Sequence, residues 1–158
     1  MALFDKYSVF SRNELDSRYE IKVDTLLKKI QIESRVSVDI AVNHIVPTAI
    51  KYQNVLIENI RGIKEIFPDD VEKYAGREIE TLAKVALLGN NINTAAVAMT
   101  EMRKKLNKIE SIPQRAKEYE DKIVPMMEKL RESIDKLEMI VDDEYWPLIK
   151  YRELLARL

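Results

Sequence analysis

Apolar or small residues recur at three- and four-residue steps from Tyr19 through Val23, Leu26, Ile30, Ser34, Ser37, Ala41, Ile45, Thr48, Tyr52, Val55, Ile60 and Ile63. That spacing follows the turn of an α-helix, not the two-residue alternation of a strand. Its start is marked. Ser11 and Glu14 have capping-box spacing, and Phe10 and Leu15 flank them at staple positions, so a helix is predicted to open at Arg12. Unbroken to Ile66 it would be about 80 Å long at 1.5 Å per residue, a coiled-coil-like arm that needs apolar partners along its length.

Pro47 interrupts this stripe and removes the bond its nitrogen would have made to the carbonyl of Asn43. A fresh helix start would make Val46 the N-cap, and a β-branched apolar side chain offers no oxygen to the free amides, so a kink is expected instead. Phe67, Pro68, Asp69 and Asp70 read as a corner, with proline and acids suited to a first turn. A second helix follows with Val71, Ala75, Ile79, Leu82, Ala86, Ile92, Ala96, Met99, Met102, Leu106 and Ile109 on one face, and a weak point at Gly89, Asn90 and Asn91.

Ser111 and Gln114 repeat the capping-box spacing around Pro113. The third helix carries Ala116, Tyr119, Ile123, Met126, Leu130, Ile134, Leu137 and Val141, close to a heptad seam. Pro125 follows Ile123 and Val124 as Pro47 follows Ile45 and Val46, which predicts a second kink. The pattern stops at Asp142, Asp143 and Glu144, and a tail with Tyr145, Trp146, Pro147, Leu148, Tyr151, Leu154 and Leu155 is expected to dock rather than dangle. The predicted fold is all-α: an antiparallel bundle of three long, proline-kinked, coiled-coil-like helices over about 12–66, 69–110 and 112–141, with a short docked C-terminal tail over 142–158.

Four acid-first pairs lie four apart on the polar faces: Asp24 with Lys28, Glu101 with Lys105, Glu118 with Lys122, and Glu132 with Lys136. They report solvent and add a few tenths of a kcal/mol each. The 158 residues suit one domain, and 46% hydrophobic with 34% charged residues allow both a core and solubility. No long uncharged apolar run or leader-like N-terminus is visible, which places the chain in the cytoplasm. The absence of cysteine removes disulfides, thiolate metal sites and thiol nucleophiles.

With 26 basic residues against 27 acidic ones there is no broad positive field for a nucleic acid. The densest basic stretch, Arg103, Lys104, Lys105 and Lys108, reads as a solvated face complementing the negative end of a helix near Glu110.

Candidate chemistry is sparse. His44 is the sole histidine, so neither a zinc motif with paired histidines nor a carboxylate-bridged di-iron motif can form. Gly62, Gly76 and Gly89 are too far apart for a phosphate-cradling loop. A lone histidine on a helix hairpin is also how phosphotransfer bundles present their acceptor, with Thr48 four residues on, but Ile45 stands where an acid usually follows. The plainer reading has His44 flanking the seam and bonding a carbonyl freed near Pro47. Glu33, Arg35 and Asp39 could form a buried polar cluster, although solvated pairing fits their spacing better.

Ser17-Arg18-Tyr19-Glu20-Ile21, Ile32-Glu33-Ser34-Arg35, Asp39 and the run His44 to Gln53 resemble the region that follows the catalytic domain in type III glutamine synthetases. Leu3 to Phe10 resembles that family's exit from the catalytic domain. Lys122 to Met127, Trp146-Pro147 and Tyr151 to Leu155 are similar to its tail. Residues 68–110 match only in helical character.

The resemblance implies that residues 1–10 are a linker from an upstream catalytic domain. It also implies a parent enzyme that joins glutamate and ammonia at the expense of ATP, with a divalent metal, Mg or Mn, held by upstream residues that have no counterpart here. This chain alone is then expected to hold no catalytic, cofactor-binding or metal-binding residue. It would be a structural and assembly region contacting the catalytic domain and neighbouring subunits of a homo-oligomer, with no nucleic acid or membrane partner. Arg18, Tyr19, Glu20, Glu33, Arg35, Asp39, Pro47, Tyr52, Gln53, Trp146 and Pro147 are its motif positions, without an assigned role. Two alternatives stay open: a signalling bundle using His44, and a free-standing helical adaptor.

Overall fold

A computed structural model describes residues 11–150. The expected linker 1–10, with Phe10 of the staple, and the tail positions Tyr151, Leu154 and Leu155 lie outside the described residues.

The helices are α1 (Arg12–Ile40), a π-helical turn (Ala41–Ile45), α2 (Val46–Ile66), α3 (Val71–Leu106) and α4 (Ile112–Glu138). No loop separates α1, the π turn and α2, so they form one rod. Gln31 bonds to Asn107, while Gly89 lies against Ala49. Partner numbers fall as the rod's own numbers rise, so α3 runs antiparallel to it. The turn after α3 then brings α4 back alongside α1 and α3. The chain is thus an all-α bundle of three packed helical rods, as the periodicity predicts.

The first N-terminus forms as its spacing requires: the Glu14 amide donates to Ser11 Oγ at 3.3 Å, and the Ser11 amide donates to Glu14 Oε2 at 3.4 Å. Ser111 caps α4 by position, but its side chain makes no capping bond. Pro113, the second helical residue, has no amide hydrogen, which removes one donor that a capping hydroxyl could serve. Pro68 falls in the corner ahead of α3, not in its first turn; α3 begins two residues later than expected, with Asp70 as N-cap.

Helix ends differ too. α3 stops at Leu106, where Lys108 and Ile109 bond three residues back and tighten the chain into a turn. α4 stops at Glu138.

Pro47 is accommodated neither by a capped restart nor by a bend within regular α-helix. The Val46 amide donates to the carbonyl of Ala41, five residues back, so the helix widens immediately before the proline and shifts its register. Pro125 is treated differently: α4 is regular on both sides of it. Pro125 and Asp121, whose carbonyl loses its amide donor, are both exposed, so water can serve that carbonyl. Pro47 is half-buried between buried Ile45 and Thr48, where the wide turn takes up the mismatch instead. The expected weak point at Gly89, Asn90 and Asn91 does not interrupt α3.

The buried stripe of the first rod runs through Leu27, Ile30, Ser34, Ala41, Ile45, Thr48, Ala49 and Leu56. Tyr19, Leu26, Val55 and Ile79, expected to face inward, are exposed. Tyr19 precedes the first fully buried residue of the rod, Leu27, while Leu26 lies beside buried Leu27 on the face turned away from the core. The α4 seam of Ala116, Tyr119, Ile123, Leu130, Leu137 and Val141 is buried, with Met126 and Ile134 packed at its edge. Leu130 is 1% exposed. Leu130→Ala should cost about 2–5 kcal/mol in urea unfolding, and a loss below about 0.5 kcal/mol would mean that this face does not point inward.

Surface pairing is local. Lys28 meets Asp24 at 2.7 Å and Lys122 meets Glu118 at 2.6 Å, as spaced. Glu101 takes Lys104 at 2.7 Å in place of Lys105, and Arg131 pairs with Asp135 where Glu132 and Lys136 were expected to pair. The hydrogen bond from Lys104, then its charge, holds the Glu101 carboxyl below its ordinary pKa.

Candidate functional site

No residue of α1 before Leu27 is fully buried, and of the first fifteen only Val23 packs at the edge of the core. Arg18, Tyr19 and Glu20 lie on this stretch. Tyr19 is 62% exposed and Ile21 66% exposed. The start of α1 therefore carries large exposed apolar side chains outside the described core, a feature that marks surfaces meant for a partner.

Further along α1, Glu33, Arg35 and Asp39 are all exposed. Glu33 approaches Lys29 at 3.9 Å, and Asn43 Nδ2 donates to Asp39 Oδ1 at 2.6 Å. These are solvated pairs, not a buried polar cluster. Beside them Ile32, Val36 and Ile40 of α1 face Val124, Met127 and Ile134 of α4 across an apolar groove of about 540 Å³.

Of the remaining motif positions, Tyr52, Trp146 and Pro147 lie where the tail meets the bundle, while Pro47 follows the π turn and Gln53 faces α3. The Tyr52 ring lies 5.9 Å from that of Tyr145, and Trp146 is 8% exposed within the core cluster. Pro147 follows it on the surface. Lys150 reaches back to donate to the carbonyls of Glu138 at 3.1 Å and Val141 at 3.4 Å, pairs with Asp143, and lies 5.8 Å above the Trp146 ring. Its ammonium thereby serves carbonyls left without donors at the C-terminal end of α4. The described part of the tail, residues 142–150, is docked, and its buried anchor is Trp146.

Gln53 flanks a contact of α2 with α3, where a Cβ built on Gly89 would lie 3.6 Å from Ala49 Cβ and 4.0 Å from Gln53 Nε2. That spacing is ordinary contact, so Gly89→Ala should stabilise the bundle by up to about 1 kcal/mol through helix propensity. A fall in the thermal midpoint would show that the crossing needs the missing methyl.

Sequence reasoning did not find the roles of Asn107 and Lys150. Asn107 Oδ1 accepts from both Gln31 Nε2 at 3.2 Å and the Tyr119 hydroxyl at 2.7 Å, tying together three helices. Neither residue carries a local signal, because both act across long separations.

His44 lies in the π turn and is exposed, away from the carbonyl bond expected of it beside Pro47. Among the described residues no three His, Asp or Glu side chains converge to hold a metal ion. The described residues therefore offer no ligand set that fits a divalent metal. No helix among them is long and apolar enough to cross a membrane.

Comparison with known proteins places this geometry. Residues 1–64 match the family model described as the glutamine synthetase C-terminal domain. A glutamine synthetase of Bacteroides fragilis is 43% identical over 148 residues, 93% of this chain and 20% of that protein. The type-3 glutamine synthetase of Dictyostelium discoideum is 28% identical over 159 residues, 97% of this chain and 21% of that protein. A glutamine synthetase of Butyrivibrio fibrisolvens is 24% identical over 156 residues, 99% of this chain and 22% of that protein. The chain thus spans about a fifth of the length of the curated relatives it matches. Matched in its first rod and similar nearly end to end to these enzymes, the chain belongs to the glutamine synthetase C-terminal domain family.

Proposed function

We propose that this chain is the non-catalytic structural and assembly region of a cytoplasmic, homo-oligomeric glutamine synthetase. The whole protein makes glutamine from glutamate, ammonia and ATP with a divalent metal held elsewhere in the enzyme. The observation that carries this reading is the start of α1, where Tyr19 and Ile21 stand exposed beside Arg18 and Glu20. Burying two such side chains against a catalytic domain or neighbouring subunit contributes about 1.5–3 kcal/mol each, enough to bias assembly without any chemistry in the bundle.

The test is made in the full-length enzyme. Tyr19→Asp with Ile21→Asp should weaken assembly, read by sedimentation velocity, while circular dichroism of the isolated chain stays helical because neither residue touches the core. Unchanged assembly and activity would overturn the proposal, as would glutamine synthesis by the 158-residue chain alone.

A second reading draws on the exposure of His44 in a π turn, a local geometry frequent at functional sites. If this histidine accepts phosphate, incubation with a small phosphodonor should add an acid-labile phosphate that His44→Gln abolishes. An unmodified intact mass would dismiss that reading.

A further inference from the structure

We infer that the solvent-facing side of α3 is a docking surface for a second copy of this chain, the two α3 helices packing antiparallel about a two-fold axis at the level of Ile92. This contact uses a different helix from the one at the start of α1 and does not depend on the parent enzyme.

Composition points to it first. From Val85 to Thr100 α3 carries no charged residue on any face. A helix side left to water ordinarily carries charge, as α4 does with exposed Glu128, Lys129, Arg131 and Glu132. On α3, Leu87 is 62% exposed and Val97 56% exposed.

Spacing comes next. The core takes Val85, Gly89, Ile92, Ala96 and Met99 of this helix. A second series, Ala83, Leu87, Asn90, Thr94, Val97 and Glu101, alternates steps of four and three residues on the other side, and every member is exposed. The same steps reach exposed Glu80 and Lys104 at its ends. That is the heptad spacing by which one helix seats another, with Leu87 and Val97 as the apolar knobs and Asn90 as a polar register mark.

Charge then selects the partner and its direction. Turned end for end about Ile92, the series matches itself: Leu87 meets the partner's Val97, Asn90 the partner's Thr94, and Glu80 the partner's Lys104. Within one chain Glu80 approaches Lys84 at 3.9 Å and Lys104 meets Glu101 at 2.7 Å. Antiparallel packing sets the first pair against the second in reverse order, acid to base at both ends, and the two-fold axis repeats the match. Parallel packing would set Glu80 on Glu80 and Lys104 on Lys104.

The chain has no cysteine, so introduced thiols report alone. Chains carrying Leu87→Cys are mixed with chains carrying Val97→Cys under mild oxidation. Antiparallel packing brings these two thiols together, whereas two Leu87→Cys chains hold theirs about 15 Å apart along the axis. The mixed disulfide should form roughly tenfold faster than either like-with-like disulfide. Faster like-with-like bonding would mean a parallel contact, and equal rates would mean random collision; either overturns the inference.

Sedimentation velocity gives an independent reading. Across a concentration series the unmodified chain should pass from monomer to dimer, and a chain that stays monomeric would overturn the inference. Leu87→Lys with Val97→Lys should weaken the dimer by roughly tenfold or more with helicity retained, since both side chains are exposed. Glu80→Lys should weaken it as well, and adding Lys104→Glu should restore it. Tyr19→Asp with Ile21→Asp should leave this dimer intact, which separates its failure from that of the assembly role; loss of the dimer in that variant would assign the contact to α1 and overturn the inference.

Discussion

Replacing Tyr119 with alanine should remove about 3–5 kcal/mol of stability, the largest loss expected from one residue of this bundle. Tyr119 has no exposed surface, and its hydroxyl donates to Asn107 Oδ1 at 2.7 Å. The same oxygen accepts from Gln31, so one side chain of α4 is linked to the end of α3 and to α1 at the level where packing begins. Truncation opens a ring-sized cavity and removes that link together.

Tyr119→Phe separates the two contributions. It should cost about 0.5–1.5 kcal/mol, the net value of one hydrogen bond, since Gln31 still satisfies the Asn107 oxygen. Urea unfolding followed by circular dichroism gives both numbers. An alanine loss near the phenylalanine loss would mean that the ring is not packed.

Trp146→Ala should cost about 3 kcal/mol or more and release the tail from α2. Among the described tail residues the indole is the one buried apolar anchor, since its neighbours Pro147, Leu148 and Ile149 are exposed. Losing it also removes the ring beneath Lys150 and loosens the stack of Tyr145 on Tyr52. As Trp146 is the sole tryptophan, the native chain reports on itself: its emission should be blue-shifted and poorly quenched by iodide. Full quenching of the native chain would contradict the docked tail. Lys150→Met should weaken the same docking less, because it leaves the carbonyls of Glu138 and Val141 without a donor but keeps the indole in place.

Much of the candidate surface could be read from the residues, though not its exposure. The motif from Ser17 to Ile21 was identifiable, yet periodicity placed Tyr19 on a buried face. Periodicity reports only that one side of a helix is apolar. Which level of that side a neighbour covers depends on how the rods pack, and full burial on α1 begins only at Leu27. The groove beside Glu33 was likewise invisible, because it combines Ile32, Val36 and Ile40 with α4 residues far along the chain.

Proline at identical Ile-Val-Pro sites shows the same division. Local chemistry states that each proline orphans a carbonyl. The remedy depends on surroundings: a widened turn at half-buried Pro47, and regular helix at exposed Pro125.

What the sequence by itself determined is short-range: three apolar rods from three- and four-residue spacing, a capped start at Ser11, corners near Pro68 and Ser111, and a family motif through Gln53. These depend on neighbours within a turn or two, where side-chain size and hydrogen-bonding capacity suffice. Only the tertiary structure decided that Tyr119, Asn107 and Gln31 form one junction, that Gly89 meets Ala49, that Lys150 closes the end of α4, and that Tyr19 and Ile21 stand exposed ahead of the first buried residue of α1. Those outcomes follow from how far each rod runs before it turns and in which register the rods meet, which helical spacing leaves free.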